Sequence, residues 1–279
     1  MFFKLIASDV DGTLIDDQLV LSDANIAAIQ KARDHGIRVV LCSGRSPGTM
    51  LAYEKQLGLV NDTHEYGIGF NGAVVYRVAD RQVLAGQTIP QATIARILET
   101  VRELSSDILL GAYLDSHTVI AEDGLQDIMD KYSVGSQVTN HYYPKLTPEL
   151  FIQDPLNLYL IQYRDKLLPV YEAFTQNPIP GLRLAFSQEH LLEFMPERMD
   201  KAQGLKMLAQ RLGIDMAQVV AVGDNYNDIE MVQAAGYGFA VANAVPELKQ
   251  IADHVTSTTN NQSALVEVVE QVIALNQRQ

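Results

Sequence analysis

The chain has a single cysteine, Cys42, so no intrachain disulfide can staple it, and the apolar run Val39-Val40-Leu41-Cys42 reads as burying an ordinary thiol. Basic side chains are scarce, with 21 Lys and Arg against 34 Asp and Glu for a net charge of −13. That deficit argues against a surface for nucleic acid or anionic membrane. It also means that an anionic substrate needs a locally positive site, most simply a divalent cation. No apolar stretch approaches the roughly 18 residues of a spanning helix. Asp9 comes too early for a secretory leader with its cleavage site, so a cytoplasmic location is the expectation. Repeats, low-complexity tracts and flexible linkers are missing too. The histidines, His35, His64, His117, His141, His190 and His254, show no metal-ligand spacing.

What is present is a soluble globular composition, 47% apolar and 20% charged over 279 residues, enough for one large or two modest domains. The run Phe2-Phe3-Lys4-Leu5-Ile6-Ala7 reads as a strand buried on both faces, central in a parallel sheet. It ends in Asp9-Val10-Asp11-Gly12-Thr13. Ser22 then caps a helix that stops near Gly36, Ile37–Leu41 is a second buried strand, and Ser43-Gly44-Arg45 leads to a helix opening at Pro47. Asn71-Gly72, between Tyr66–Phe70 and Ala73–Tyr76, predicts a type I′ hairpin.

From about Gln87 the pattern changes to strand pairs with helices. Helices are expected at Pro90–Leu104, near Leu125–Lys131 and at Pro169–Thr175; strands are expected around Ile108–Leu114, Thr118–Ala121, Asn157–Tyr163, Leu182–Phe186 and Leu191–Met195. This reads as an independent α+β module over 87–195, inserted into a core of 1–86 and 196–279. Alternation resumes with helix Gln203–Leu212 and strand Val219–Val222, which ends in Gly223-Asp224-Asn225-Tyr226-Asn227-Asp228. A helix Ile229–Ala235, a strand Phe239–Val241 and helices near Val245 and Ser263 close the chain. The fold class is therefore α/β, a doubly wound parallel sheet with an inserted α+β domain.

Three buried strands end in polar residues, Asp9/Asp11, Ser43-Gly44 and Asp224/Asp228, and in a parallel sheet these ends share one edge. Clustered carboxylates need neutralising, and Mg2+ is the usual hard cation, leaving coordination positions for substrate oxygens. Ser43, nearby amides and the next helix N-terminus suit an anion, and phosphate fits best.

These residues, with a lysine ahead of a helix, resemble the four motifs of the haloacid dehalogenase superfamily, specifically the Cof-type sugar phosphatases with a type IIB cap. The likeness spans the whole chain. It implies a Mg2+-dependent phosphatase acting on phosphomonoesters of small metabolites, with Asp9 as nucleophile forming an aspartyl-phosphate and Asp11 as general acid and base. It implies Mg2+ ligation by the Asp9 side chain, the Asp11 carbonyl and Asp224. Ser43, the Gly44 amide, Lys201 and Asn227 would hold the phosphoryl group, and Asp228 would orient Lys201 or a metal-bound water. The inserted module would close over the site; Asp115, Ser116 and His117 on its hairpin are candidates for specificity only.

The family usually follows its lysine with Gly, whereas this chain has Asp200-Lys201-Ala202-Gln203-Gly204, which leaves Lys206 as a fallback. Bland readings stand beside the functional ones. Ser43 could be a helix cap, Asp228 could complement a helix dipole, and Arg45 could face substrate or solvent. Thr13 is a turn residue, Asn71 serves its turn first, and Tyr142-Tyr143-Pro144 could be packing or a sugar-stacking edge. Alternatives to hydrolysis are a phosphomutase or phosphotransferase using the same residues, and a metabolite-binding regulator with vestigial catalysis. A two-component receiver would leave the inserted module unexplained.

Overall fold

The computed structural model describes residues 2–105, 107–113, 117–121, 139–143, 154–197 and 199–278. In chain order, β1 (Leu5–Ser8), α1 (Asp23–Asp34), β2 (Arg38–Cys42), α2 (Pro47–Gln56), β3 (Tyr66–Gly69), β4 (Val74–Arg77) and β5 (Val83–Gly86) come first. Then follow α3 (Gln91–Leu104), β6 (Leu109–Tyr113), β7 (His117–Ala121), β8 (Thr139–Tyr143), β9 (Asn157–Ile161), α4 (Arg164–Gln176), β10 (Leu182–Gln188) and β11 (Leu191–Pro196). The chain ends with α5 (Lys201–Leu212), β12 (Val219–Gly223), α6 (Ile229–Ala234), β13 (Tyr237–Ala240), α7 (Pro246–Ile251), β14 (His254–Val255) and α8 (Leu265–Gln277). Two compact units result, Met1–Gly86 with Met199–Gln279, and Gln87–Arg198. The second boundary falls at Met199, not 196, because β11 continues through Pro196, which pairs with Leu182.

The first unit holds an eight-stranded sheet ordered β14-β13-β12-β1-β2-β3-β4-β5. Six strands are parallel, and β4 and β5 add an antiparallel edge. The β1 residues Leu5, Ile6 and Ala7 are fully buried, as expected of a strand covered on both faces. Register is what assembles the site. Ser8 lies beside both Val222 and Leu41, so Asp9, Ser43 and Asp224 emerge one or two residues further on, along one edge.

Asn71-Gly72 does lie between antiparallel strands, but not in a two-residue turn. The last pair is Gly69 with Val74, leaving a four-residue link in which Phe70, Asn71 and Gly72 all have positive φ. The reason is tertiary: Phe70 N donates to the Arg45 carbonyl at 3.0 Å and Asn71 N to the Ser43 carbonyl at 3.0 Å. These bonds to the preceding loop hold the link in place of a tight turn.

The second unit has a six-stranded sheet, β10-β11-β9-β6-β7-β8, antiparallel except for β7 with β8. Ile94, Ile97, Leu98 and Val101 of α3 and Leu167, Val170 and Phe174 of α4 share an apolar core with Leu158, Leu160, Leu192 and Phe194. Helix α4 starts at Arg164, five residues before the expected Pro169. A proline is tolerated there because the carbonyl it leaves without an N–H partner belongs to Asp165, in the exposed first turn. The expected helix near Leu125–Lys131, together with Asp115, Ser116 and Pro144, lies outside the described residues. No helix among the described residues is long and apolar enough to cross a membrane.

Candidate active site

Asp9 is the first residue past β1, its amide donating to the Val222 carbonyl at 2.9 Å. The residue is 5% exposed. Lys201 reaches it from the start of α5. That helix is capped by the Asp200 side chain, which accepts from Gln203 N at 2.8 Å, and this cap fixes the lysine as the first helical residue. Lys201 is 1% exposed and donates to Asp9 Oδ1 at 2.5 Å and to Asp228 Oδ1 at 2.6 Å. Lys206, the fallback, is exposed on the same helix. The missing glycine after the lysine has a counterpart one turn on. Gly204 packs so tightly on the 70–72 turn that a Cβ there would sit 2.8 Å from Gly72 Cα.

Asp228 spends its second oxygen on the backbone, accepting from the amides of Asp224 and Asn225 at 3.0 Å each. With one oxygen on Lys201 and the other on two amides, Asp228 is a clamp for the lysine and for the Asp224 turn. Asp224 Oδ1 accepts from Thr13 Oγ1 at 3.2 Å. Its other oxygen occupies the space a side chain at residue 12 would need; Gly12, at φ +76°, meets both demands.

Carboxylate oxygens of Asp9, Asp224 and Asp228 lie within 4.8 Å of one another. Burial pushes the Asp9 carboxyl up to about 7, with the Lys201 charge opposing and Asp228 and Asp224 adding to the rise. Asp224 is pushed up to about 6, by burial first and then by Asp228. Lys201 is driven the other way from a lone buried amine: burial favours its neutral form, but Asp9 and Asp228 hold it charged. One ammonium facing three acids leaves negative charge over. Asp9 Oδ2 is buried without a hydrogen-bond partner among the described residues. An orphaned carboxylate oxygen beside a second carboxylate is an oxygen donor set that fits a hard cation. Asp9 and Asp224 would hold it; Asp228, fully engaged, would not.

The remaining candidates form a rim. Asp11 is not in the acid cluster by its side chain. Its two oxygens take Arg45 Nε at 2.8 Å and Nη2 at 2.6 Å, a bidentate fork. Arg45 therefore faces Asp11, and it stacks on Tyr53 with its Cζ 5.4 Å from the ring centroid. Ser43 is buried, its Oγ accepting from Arg45 N at 3.1 Å, while Gly44 is exposed. The Asn71 side chain lies over Gly44 and accepts from Asn227 Nδ2 at 3.0 Å, joining the second and fourth motif loops.

Sequence reasoning missed two features. Buried Glu54 accepts from Tyr76 at 2.6 Å and pairs with Arg81, tying α2 to the β4–β5 edge. Asn243, after β13, donates to the Gly12 carbonyl at 2.7 Å. A buried glutamate in α2 and a turn asparagine 231 residues from its partner carry no local signal.

Fold and site are those of an α/β enzyme with its chemistry at the carboxyl edge of a doubly wound sheet. The chain belongs to the haloacid dehalogenase-like hydrolase family, whose model matches residues 6–269. It is 30% identical to the phosphatase YwpJ of Bacillus subtilis, over 92% of this chain and 95% of that one. It is 26% identical to the B. subtilis 5-amino-6-(5-phospho-D-ribitylamino)uracil phosphatase YitU, over 97% and 98%. Among solved structures, TM0651 from Thermotoga maritima superposes with a TM-score of 0.84 at 29% identity, covering 97% of each chain.

Proposed function

We propose that this chain is a Mg2+-dependent phosphatase that hydrolyses phosphomonoesters of small metabolites, sugar or polyol phosphates foremost, through an aspartyl-phosphate on Asp9. The observation that carries the reading is the state of Asp9: one oxygen fixed by a buried lysine, the other without a hydrogen-bond partner among the described residues, at the carboxyl edge of the sheet. A carboxylate held this way is positioned as a nucleophile. The polyol phosphate in the name of the relative YitU supports the substrate class.

In this reading an Asp9 oxygen forms a bond to phosphorus while the bond from phosphorus to the ester oxygen breaks. Asp11 gives the departing oxygen its proton, then takes a proton from the water that attacks phosphorus and frees Asp9. To act, Asp11 must leave the Arg45 fork, and an arriving dianion near Ser43-Gly44 gives Arg45 another partner. Lys201, kept charged by Asp228, faces the charge on the transferring group, and Ser43, Gly44 and Asn227 line the loops around it. A bound Mg2+ would supply charge neutralisation at the Asp9–Asp224 pair.

Phosphate release from a panel of sugar and polyol phosphates, with Mg2+ and with excess chelator, tests the reading, together with acid quench to trap phosphorylated Asp9. Metal-dependent release with a trapped phospho-Asp9 is expected. Binding without release across the panel, or transfer to an added acceptor in place of water, overturns it.

A further inference from the structure

The loop between β13 and α7 is bonded to both turns that carry the carboxylates. Asn243 Nδ2 donates to the Gly12 carbonyl at 2.7 Å. Two residues on, Val245 N donates to the Asp224 carbonyl at 2.8 Å. At its other end Val241 N donates to the Gly223 carbonyl at 3.2 Å. Thr13 Oγ1, bonded to Asp224 Oδ1, closes a ring that runs Gly12, Asn243, Val245, Asp224, Thr13.

Asn243 is itself held. Its Oδ1 accepts from Asn260 N at 2.9 Å, and Asn260 Nδ2 donates to the Ile15 carbonyl at 3.1 Å and to Asp17 Oδ1 at 3.0 Å. An exposed asparagine whose amide is used at both ends, one end on the turn after the nucleophile, is placed to set geometry. Gly12 makes the consequence specific. Its carbonyl takes the Asn243 amide, the Asp224 carboxylate fills the space where a Cβ would stand, and without a Cβ its backbone is freer to swing than that of any other residue type.

We propose that Asn243 is a positioning residue of the metal site, bracing the Asp9–Gly12 turn against the Asp224 turn so that the two acids present one preformed site. This rests on the metal-dependent reading above. Loss of the brace leaves every ligand in place but lets the two turns drift, and outer partners of this kind commonly contribute about ten-fold or more in metal affinity.

The test is Mg2+ binding to the substrate-free full chain by isothermal titration calorimetry, with melting of the metal-free protein alongside. Asn243→Ala is expected to weaken Mg2+ binding about ten-fold while the metal-free melting temperature stays within about 3 °C of the parent. Asn243→Asp keeps the acceptor for Asn260 but loses the donor to Gly12. Its added negative charge alone would tighten cation binding, so weakening there isolates the lost donor, and this variant carries the test if Asn243→Ala melts early. Asn261→Ala removes the two neighbouring bonds to Asp17, one from Asn261 Nδ2 to Oδ2 and one from the Asp17 amide to Asn261 Oδ1, and is expected to bind Mg2+ like the parent. Parent-like affinity in the Asn243 variants, or equal weakening in Asn261→Ala, overturns the brace and leaves the metal-dependent reading standing. A parent chain that binds no Mg2+ removes both.

Discussion

Replacing Lys201 by methionine removes the cation from a pair of buried acids and keeps most of the volume. Asp228 retains its two backbone amides, so the uncompensated charge falls mainly on Asp9, already buried with one oxygen lacking a hydrogen-bond partner among the described residues. Breaking one side of a buried ion pair costs about 3–5 kcal/mol, a large share of the roughly 5–15 kcal/mol that holds a domain together. The loss is expected to depend on pH with a definite sign. In the parent, burial opposed by Lys201 puts Asp9 at about 7; without the lysine its pKa rises further. Between those two pKa values the variant binds a proton in the folded state that the parent does not. Its stability therefore recovers relative to the parent as pH falls through that window, by up to about 1.4 kcal/mol per pH unit. Urea unfolding in chelator at pH 9 and pH 6.5 reads the difference directly, and the destabilisation is expected to be at least about 1 kcal/mol larger at the higher pH. Adding Asp9→Asn removes the stranded charge, so the double variant should unfold later than the sum of the two single changes, by about 0.5–3 kcal/mol. A loss below about 1 kcal/mol, or one that grows toward acid, refutes the account of Lys201 as counter-charge to Asp9.

Asp9→Asn is expected to abolish phosphate release while melting near the parent, because Lys201 keeps Asp228 as its counter-charge and one of three crowded acids is removed; near-normal turnover removes Asp9 as nucleophile. Gly12→Ala puts a methyl group into the Asp224 carboxylate at a φ of +76°, so both Mg2+ affinity and turnover should fall by about ten-fold or more, and a parent-like variant contradicts the close approach. Tyr76→Phe leaves Glu54 Oε1 without its buried donor and should cost about 1–3 kcal/mol in urea unfolding with little change in kcat; an unchanged midpoint means that the network does not stabilise this edge.

How much of this was written in the sequence depends on whether the cause is local. The strands β1, β2 and β12 could be found because residues buried on both faces form unbroken apolar runs, and their common direction follows from the helices between them. Asp9, Asp11, Ser43, Asp224 and Asp228 stood out as polar residues stopping those runs. Lys201 needed more, since its helix start is marked by Asp200 but its burial comes from Asp9 and Asp228, 192 and 27 residues away. Where partners lay in other elements, local signals misled: Asn71-Gly72 has the composition of a tight turn, yet the bonds from Phe70 and Asn71 to the 43–45 loop impose a longer link. Strand β8 was hidden because its polar run Thr139-Asn140-His141 shows no alternation, and it is placed by parallel pairing with β7.

The same division separates ligands from their supports. A carboxylate at a strand end is conspicuous because an apolar strand gives it no local partner, so its presence demands a neighbour. The groups that answer that demand, such as the Thr13 hydroxyl and the Asn243 amide, are ordinary polar residues in turns, and their partners lie 211 and 231 residues away. Their contribution lies in where the register of β12 against β1 on one side and β13 on the other brings them. A change in that register of a single residue would leave all four motifs intact in the sequence. It would also turn Asp224 away from Thr13 and Asp9, because successive residues of a strand face opposite sides. Chemistry at this edge therefore depends on strand alignment as directly as on the acids.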